Sequence, residues 1–298
     1  MSGDTVTHTT TDAPAPDPGS GIMAFDAGFL APGPRPRRRR TRSLWAGLWP
    51  KLLALGLVLL VWQIAVWTEF RPSYALASPA DSFAQLWKDA GTWHFWHSVL
   101  TTMRRALLGF LLSVGVGFVV GFAVARVKLL RAAVGSMITA LQTMPSIAWF
   151  PLAILLYKLT ESAIMFVVVI GAAPSIANGV IAGVDYVPPL LLKAGRNIGA
   201  RGFQLYYRVI APASLPSIVA GLKQGWAFSW RSLMAGELLV SIAGQPSLGA
   251  NLNFAREFND APGLIATMIV ILVIGLGVDT VFGFADRAIR RRWGITDA

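Results

Sequence analysis

Between two long apolar stretches the chain reads DYVPPLLLKAGRNIGARGFQLYYRVIAPASLP, Asp185 to Pro216. The flanks are built for lipid, whereas this segment is polar, basic and helical in pattern, so it belongs in water beside a membrane. Asp185, Pro188 and Pro189 are helix-start signals, and Leu190 to Ile198 is long enough for about two and a half turns. Gly199 supplies the permissive backbone that ends them. A second short helix is expected from Phe203, stopping before Pro212. Leucines, Ala194, Ile198, Leu205 and Tyr207 give the two pieces an apolar stripe beside Lys193, Arg196, Arg201 and Arg208. Two angled helices of that kind suit a groove on a soluble partner. The same pattern also fits a hairpin lying on an anionic leaflet.

The rest of the chain fixes the class. It has 298 residues, of which 54% are hydrophobic and 14% charged, a balance that points to a polytopic all-α membrane protein. A net charge of +11 raises nucleic acid as a partner. No basic face interleaved with aromatics lies on a soluble domain, so membrane topology is the better source of the charge and nucleic acid is set aside. The absence of cysteine excludes disulfides, thiolate chemistry and Cys-ligated metal, and the three histidines, His8, His94 and His97, are too scattered for a metal site.

Residues 1–43 are rich in Thr, Pro, Asp and Gly and end in an arginine run, Arg35, Arg37 to Arg40 and Arg42, which reads as a disordered basic tail. A domain of membrane spans is expected over 44–293, followed by a short tail at 294–298. The first span, about 44–68, is too long for a signal-peptide core. A wetter segment follows, with the helix-start signal Ser78-Pro79-Ala80-Asp81 and the interfacial aromatics Trp93, Phe95 and Trp96. Further spans are expected at about 98–125, 132–157, 162–184, 213–240 and 262–286, with a coupling loop at 185–212. Six spans put both termini on one side. Lysine and arginine concentrate in the N-terminal tail, the turn containing Arg126, Lys128 and Arg131, the quoted segment, and the C-terminal run Arg287, Arg290, Arg291 and Arg292. The alternate connections carry Arg71, Lys88, Lys158 and Arg256. Positive charge collects inside, so both termini and the quoted segment are expected in the cytoplasm.

Charges within apolar helices mark candidate path residues. Lys223, Arg231 and Glu237 fall at about 0°, 80° and −40° on a helical wheel, one face with Met234 and Ser241. A charge at membrane depth costs at least ~2.5 kcal/mol, so these should face a watery cavity or one another. The plainer alternative has Lys223 snorkelling inward and Glu237 near the outer interface. Arg231 suits a small oxyanion, because its planar fork matches sulfonate, nitrate or carboxylate oxygens. Arg104 and Arg105 are read chiefly as flanking the outer end of their span, and secondarily as path residues. Gln142, Thr143 and Met144 before Pro145, and Ser175 and Asn178 after Pro174, mark breaks in spans three and four that either line a path or pack helices.

The stretch KAGRNIGARGFQLYYRVIAP resembles the EAA loop of permease subunits of ATP-binding-cassette importers. In that loop Glu-Ala-Ala is followed after three residues by Gly, and ten residues later by an apolar residue, any residue, Leu and Pro. Gly199, Val209 and Pro212 keep those spacings, while Lys193 replaces the Glu, Gly195 the second Ala and Ala211 the Leu. The segments SPADSFAQLW, SVLTTMRRALLGF, MPSIAWFPLAIL and SWRSLMAGELL are similar, in order, to parts of the nitrate, sulfonate and taurine branch. The resemblance thus runs from about Trp45 to Trp293.

What it implies is a type I importer fold of the methionine-importer kind, in the multi-pass plasma membrane of a bacterium. The chain would form a homodimer above two ATPase subunits and below an extracytoplasmic substrate-binding protein, surrounded by lipid. Lys193, Ala194, Gly195, Arg196, Gly199, Phe203, Tyr207, Arg208 and Pro212 would couple to the ATPase. Lys223, Arg231, Met234, Glu237, Met144, Asn178, Arg104 and Arg105 would stand along the path. ATP and Mg would bind the partner alone, since no Lys here follows a Gly and the GxxxxGK[ST] phosphate loop is missing, leaving this chain without a cofactor or enzymatic activity of its own. The cargo implied is a small anion such as a sulfonate, taurine or nitrate, with a vitamin precursor or aromatic acid as the alternative. A membrane-embedded enzyme would need paired acids or a His and Asp constellation at one membrane face, and a channel would need no docking loop.

Overall fold

The computed structural model describes residues 44–69, Pro72 and 75–292. The basic tail expected over 1–43, the short tail at 294–298 and Arg71 lie outside them. The chain divides into a unit ending at Leu55, whose described part is the first turns of α1, and a second unit from Gly56 onward.

All regular structure among the described residues is helical. The helices are α1 (Leu44–Trp67), α2 (Pro79–Ala90), α3 (Trp93–Arg126), α4 (Lys128–Thr143), α5 (Phe150–Tyr157), α6 (Glu161–Asp185), α7 (Pro189–Asn197), α8 (Phe203–Leu205), α9 (Ala211–Leu239), α10 (Leu248–Glu257) and α11 (Ala261–Arg292). Their starts follow local chemistry. Ser78 caps α2 by accepting from the Asp81 amide, Thr92 caps α3 through Phe95, and Ser247 caps α10 through Ala250. Five stretches are long and apolar enough to cross a membrane, namely Trp49–Trp67, Trp93–Arg126, Glu161–Asp185, Phe203–Leu239 and Ala261–Ile289. Rows of exposed leucine and valine on α3 and α11, such as Leu107, Leu111, Leu272 and Leu276, would be untenable in water.

Helix α6 is the centre of the second unit. It runs parallel to α3, because Gly109 packs on Val168, Gly117 on Ile176 and Gly121 on Ala177, both chains advancing together. It runs antiparallel to α9, where Gly183 meets Ser214, Gly179 meets Gly221, and Gly236 meets Ile164. A Cβ at Gly179 would lie 2.6 Å from the Gly221 Cα, so the crossing tolerates no side chain on either helix. Around it Ala106, Phe150, Val167, Val168, Trp226 and Leu233 close the apolar core.

The parallel pairing settles what the segment between α3 and α6 must do. At one end of the pair Arg105 bonds Glu161, and at the other Arg131, on the first turn of α4, bonds Asp185, the last residue of α6. The chain from 128 to 157 therefore starts at one end of the α3–α6 pair and finishes at the other. It does so with a bend of 104° between α4 and the helical stretch Ser146–Tyr157, rather than as the straight span expected over 132–157. Pro145 causes the break: it lacks an N–H, and it holds Met144 in extended backbone. The break expected at Pro174 does not form. That proline sits buried inside the continuous helix α6. The end carrying Asp185 and α7 is called the handle end below, and the opposite one the far end. Helix α9 ends at the far end, α10 lies there, and α11 returns to the handle end.

Candidate functional site

The handle is built from short-range bonds. Helix α7 closes with Gly199 at φ +88°, its amide donating to the Arg196 carbonyl at 3.0 Å and that of Ala200 to the Gly195 carbonyl at 3.0 Å. This is a Schellman cap, and it needs a glycine at the left-handed position. Gly195 is buried against Leu205 and Val209, where a Cβ would lie 2.9 Å from a methyl of each. The glycine that departs from the family's alanine thus lets the handle's two arms close on one another. Val187, Ala200, Leu205 and Ile210 form a small core under them.

The second arm does not stop before Pro212, as the sequence suggested. Residues Tyr206–Ile210 form a π-turn, the Ala211 amide reaching the Tyr206 carbonyl, and the helix passes straight into α9 with Pro212 in its first turn. Widening the turn just ahead of the proline makes room for its ring and spares the helix a missing donor.

Of the residues expected to couple, Lys193, Ala194, Arg196, Gly199, Phe203, Tyr207 and Arg208 are exposed, Pro212 is half-buried and Gly195 buried. Leu190, Ile198, Phe203 and Tyr207 are 75%, 84%, 84% and 71% exposed, a set of large apolar groups ringed by positive charge.

The candidate path residues separate into two groups. At the far end Arg105, only 1% exposed, donates to Glu237 at 3.1 Å, to Glu161 at 3.1 Å and to Gln245 at 2.8 Å. Glu237, at 0%, also accepts from the Thr102 hydroxyl at 2.8 Å and the Gly249 amide at 3.2 Å. Each guanidinium nitrogen of Arg105 and each carboxylate oxygen of Glu237 is thereby engaged, the condition under which two charges can be buried. Arg105 lies at the far end of the bundle, where acids from α6 and α9 draw it out of solvent. One expectation is corrected. Glu237 does not share a cavity with Lys223 and Arg231, since its partner comes from α3. Arg104 is exposed and pairs with Glu161 at 2.9 Å.

The second group lies along α9 and the bend. Lys223 pairs with Asp279 of α11 at 3.3 Å, both half exposed. Arg231 is exposed and, among the described residues, has no ion-pair partner, its guanidinium lying 5.6 Å from the Phe228 ring centre. It borders a groove of about 570 Å³ between α9 and α11 with Trp226, Trp230, Met234, Met268 and Asp279. Trp226 and Trp230 stack there at 6.2 Å. Asn178 donates to Gln142 at 2.8 Å, tying α6 to the last turn of α4, and Met144 is exposed at the bend itself. Glu161, Gln245, Thr102 and Asp279 were not singled out in the sequence. Their signal was there in outline, for each intramembrane charge requires an opposite one, but sequence does not say which.

A helical body with five candidate spans among the described residues, or six if the bent pair counts as one, and an exposed basic elbow is the build of a transporter's membrane subunit. Residues 113–291 match the family of binding-protein-dependent transport system inner membrane components, and the chain belongs to it. The riboflavin transport system permease protein RibX of Chloroflexus aurantiacus is 30% identical over 256 residues, covering 85% of this chain and 94% of that one. The taurine transport system permease protein TauC of Escherichia coli is 26% identical over 243 residues, covering 80% and 86%. A structure of the MetNI methionine ABC transporter in an inward-facing conformation shares the fold, with a TM-score of 0.54 at 18% identity over 66% of this chain and 97% of that one. The protein is therefore a multi-pass inner-membrane permease of an ATP-driven, binding-protein-dependent importer, a family that neither catalyses a reaction nor carries a cofactor. An ATPase and a binding protein are its implied partners.

Proposed function

We propose that this chain carries a small, anionic solute, a sulfonate, taurine, nitrate or similar, and that residues 189–212 seat the ATPase. The observation that carries the reading is the handle itself. Large apolar groups stand exposed on a short-range scaffold whose shape is fixed by the Schellman cap and π-turn, beside Lys193, Arg196 and Arg208. An exposed apolar patch of this kind on a rigid mount is a docking surface. Lys193 in place of the family's acid leaves the scaffold unaltered, because its side chain points into solvent. The chain acts as a homodimer, with both termini and the handle in the cytoplasm and the segment of α4 and α5 as the third of six crossings.

Arg231 stands along the path and meets the anion, since an unpaired guanidinium on a spanning helix needs an opposite charge from outside this chain. Met234 lies beside it in the groove, while Met144 and Asn178 stand at the bend as further residues of the route. The tryptophan groove favours one alternative: stacked Trp226 and Trp230 beside Arg231 would also suit an aromatic acid or vitamin precursor.

Because the chain has no native cysteine, Phe203→Cys and Tyr207→Cys provide clean cross-linking sites. Each is expected to cross-link to the co-expressed ATPase subunit in membranes, while Phe258→Cys at the far end does not. Cross-linking to lipid alone, with the ATPase still bound, would place docking elsewhere.

A further inference from the structure

The turn between α3 and α4 was read from sequence only as a source of positive charge for topology. In the structure its two arginines reach the two ends of the handle. Arg131 donates to Asp185, where the handle begins, at 2.7 Å, and to the Ala125 carbonyl at the end of α3 at 3.2 Å. Arg126 lies over the Tyr206 ring, where the handle ends, with its guanidinium carbon 3.7 Å from the ring centre. Phe122, one turn earlier on α3, meets the same ring edge-on at 6.4 Å and lies 5.5 Å from the Arg126 guanidinium. Arg126 is thus held between two aromatic rings, one from each element.

The two contacts are unequal. The Arg131–Asp185 pair is 45% and 35% exposed, and an ion pair so open contributes little. The Arg126 guanidinium keeps its charge, is weakly hydrated and lies close over a half-buried ring, so it holds more firmly in the same water. Its place matters as well. Tyr206 opens the π-turn that joins the handle to α9.

We infer that Arg126 is a positioning residue, gripping the handle's exit through Tyr206 so that α3 and the turn into α4 follow the handle as one body, with Arg131 as a weaker second hold at its entry. The inference rests on the reading of the handle as the ATPase seat. Without the grip, a push on the handle reaches the bundle through α6 and α9 alone and leaves α3 and the bent α4–α5 segment behind. With it, one displacement moves both the helix bearing Arg231 and the bend bearing Met144.

The test uses the full chain in complex with its ATPase, reconstituted in lipid, with spin labels at Leu129→Cys on α4 and Asn197→Cys on α7 of a doubly labelled chain diluted into excess unlabelled chain. Distances are measured without nucleotide and with ATP plus vanadate. The unsubstituted background should give one narrow distance that nucleotide leaves unchanged. Tyr206→Phe, which keeps the ring, should match it. Arg126→Met and Tyr206→Leu should each broaden the distribution about twofold and make it respond to nucleotide, with the double substitution no worse than either single one. ATPase co-purification should be equal in all of them. Narrow, unresponsive distances in both Arg126→Met and Tyr206→Leu would overturn the grip while leaving docking intact. Broadening in Tyr206→Phe equal to that in Tyr206→Leu would also overturn it, since the ring face would then not be the contact. An ATPase that fails to co-purify with the unsubstituted chain would overturn the docking reading instead.

Discussion

The two ends of the bundle hold charge in opposite ways. At the far end Arg105 and Glu237 are sealed from solvent and every polar atom is engaged, across α3, α6, α9 and the start of α10. At the handle end Arg131–Asp185 and Arg126–Tyr206 are at least partly wet and rest on pairs of groups rather than a network. Breaking a buried pair strands a charge and costs several kcal/mol, whereas an open pair is worth under about 1 kcal/mol. The far end is accordingly the costlier of the two to open.

The largest effect should come from the sealed pair. Arg105→Met leaves Glu237 buried without its cation and should destabilise the protein by roughly 3–5 kcal/mol, seen as a much lower midpoint of thermal unfolding in detergent. Adding Glu237→Gln, which keeps an acceptor for Thr102 and Gly249, should recover most of that loss. Equal melting of Arg105→Met and the unsubstituted protein would remove the contrast between the two ends.

Next comes the handle's cap. Gly199 sits at φ +88° and its amide is bonded, so Gly199→Pro opposes both the torsion and the hydrogen bond, a local cost of about 3 kcal/mol. ATPase co-purification should fall sharply while the spans stay folded, as far-ultraviolet circular dichroism would report. A complex that still assembles and hydrolyses ATP in response to binding protein would show that the cap's shape is immaterial.

A smaller and purely functional effect belongs to Arg231. Arg231→Met should cut uptake of an anionic solute roughly tenfold, the worth of one charge-assisted bond, and leave the melting midpoint unchanged. Arg231→Lys should restore part of it, since an ammonium lacks the bidentate fork. A fall in stability for Arg231→Met would mean the residue is paired after all.

The smallest concerns Lys223 and Asp279. Half exposed and 3.3 Å apart, they should shift stability by under about 1 kcal/mol when Lys223→Met removes one of them, measured in the same melts. A large loss would extend the sealed behaviour of the far end along α9.

What could be read in the sequence was what is local. The handle's cap is spelled within six residues by Gly195 and Gly199, and the break at Pro145 follows from one missing donor. The helical wheel failed at Glu237 for the converse reason. It sees only neighbours on one helix, and the cation that buries Glu237 lies 132 residues away on α3. Pro174 carries the same lesson with the opposite sign: proline chemistry alone calls for a break, but the helix stays continuous where it is packed on both sides. Pro212 was misjudged because a proline in a first turn ends nothing when the turn before it can widen.

The continuity of the handle with α9 has a mechanical meaning. From Phe203 to Leu239 the chain is one apolar helical run of 37 residues, about 55 Å at 1.5 Å per residue. One end is anchored by Glu237 and the other is joined to the elbow with no loose joint between. Such a rod works as a lever with its fulcrum at the anchor. A tilt of roughly 10° about that point carries the elbow through roughly 10 Å, while positions near Arg231 travel only a small fraction of that. Long strokes at the elbow thus become short, forceful ones near Arg231.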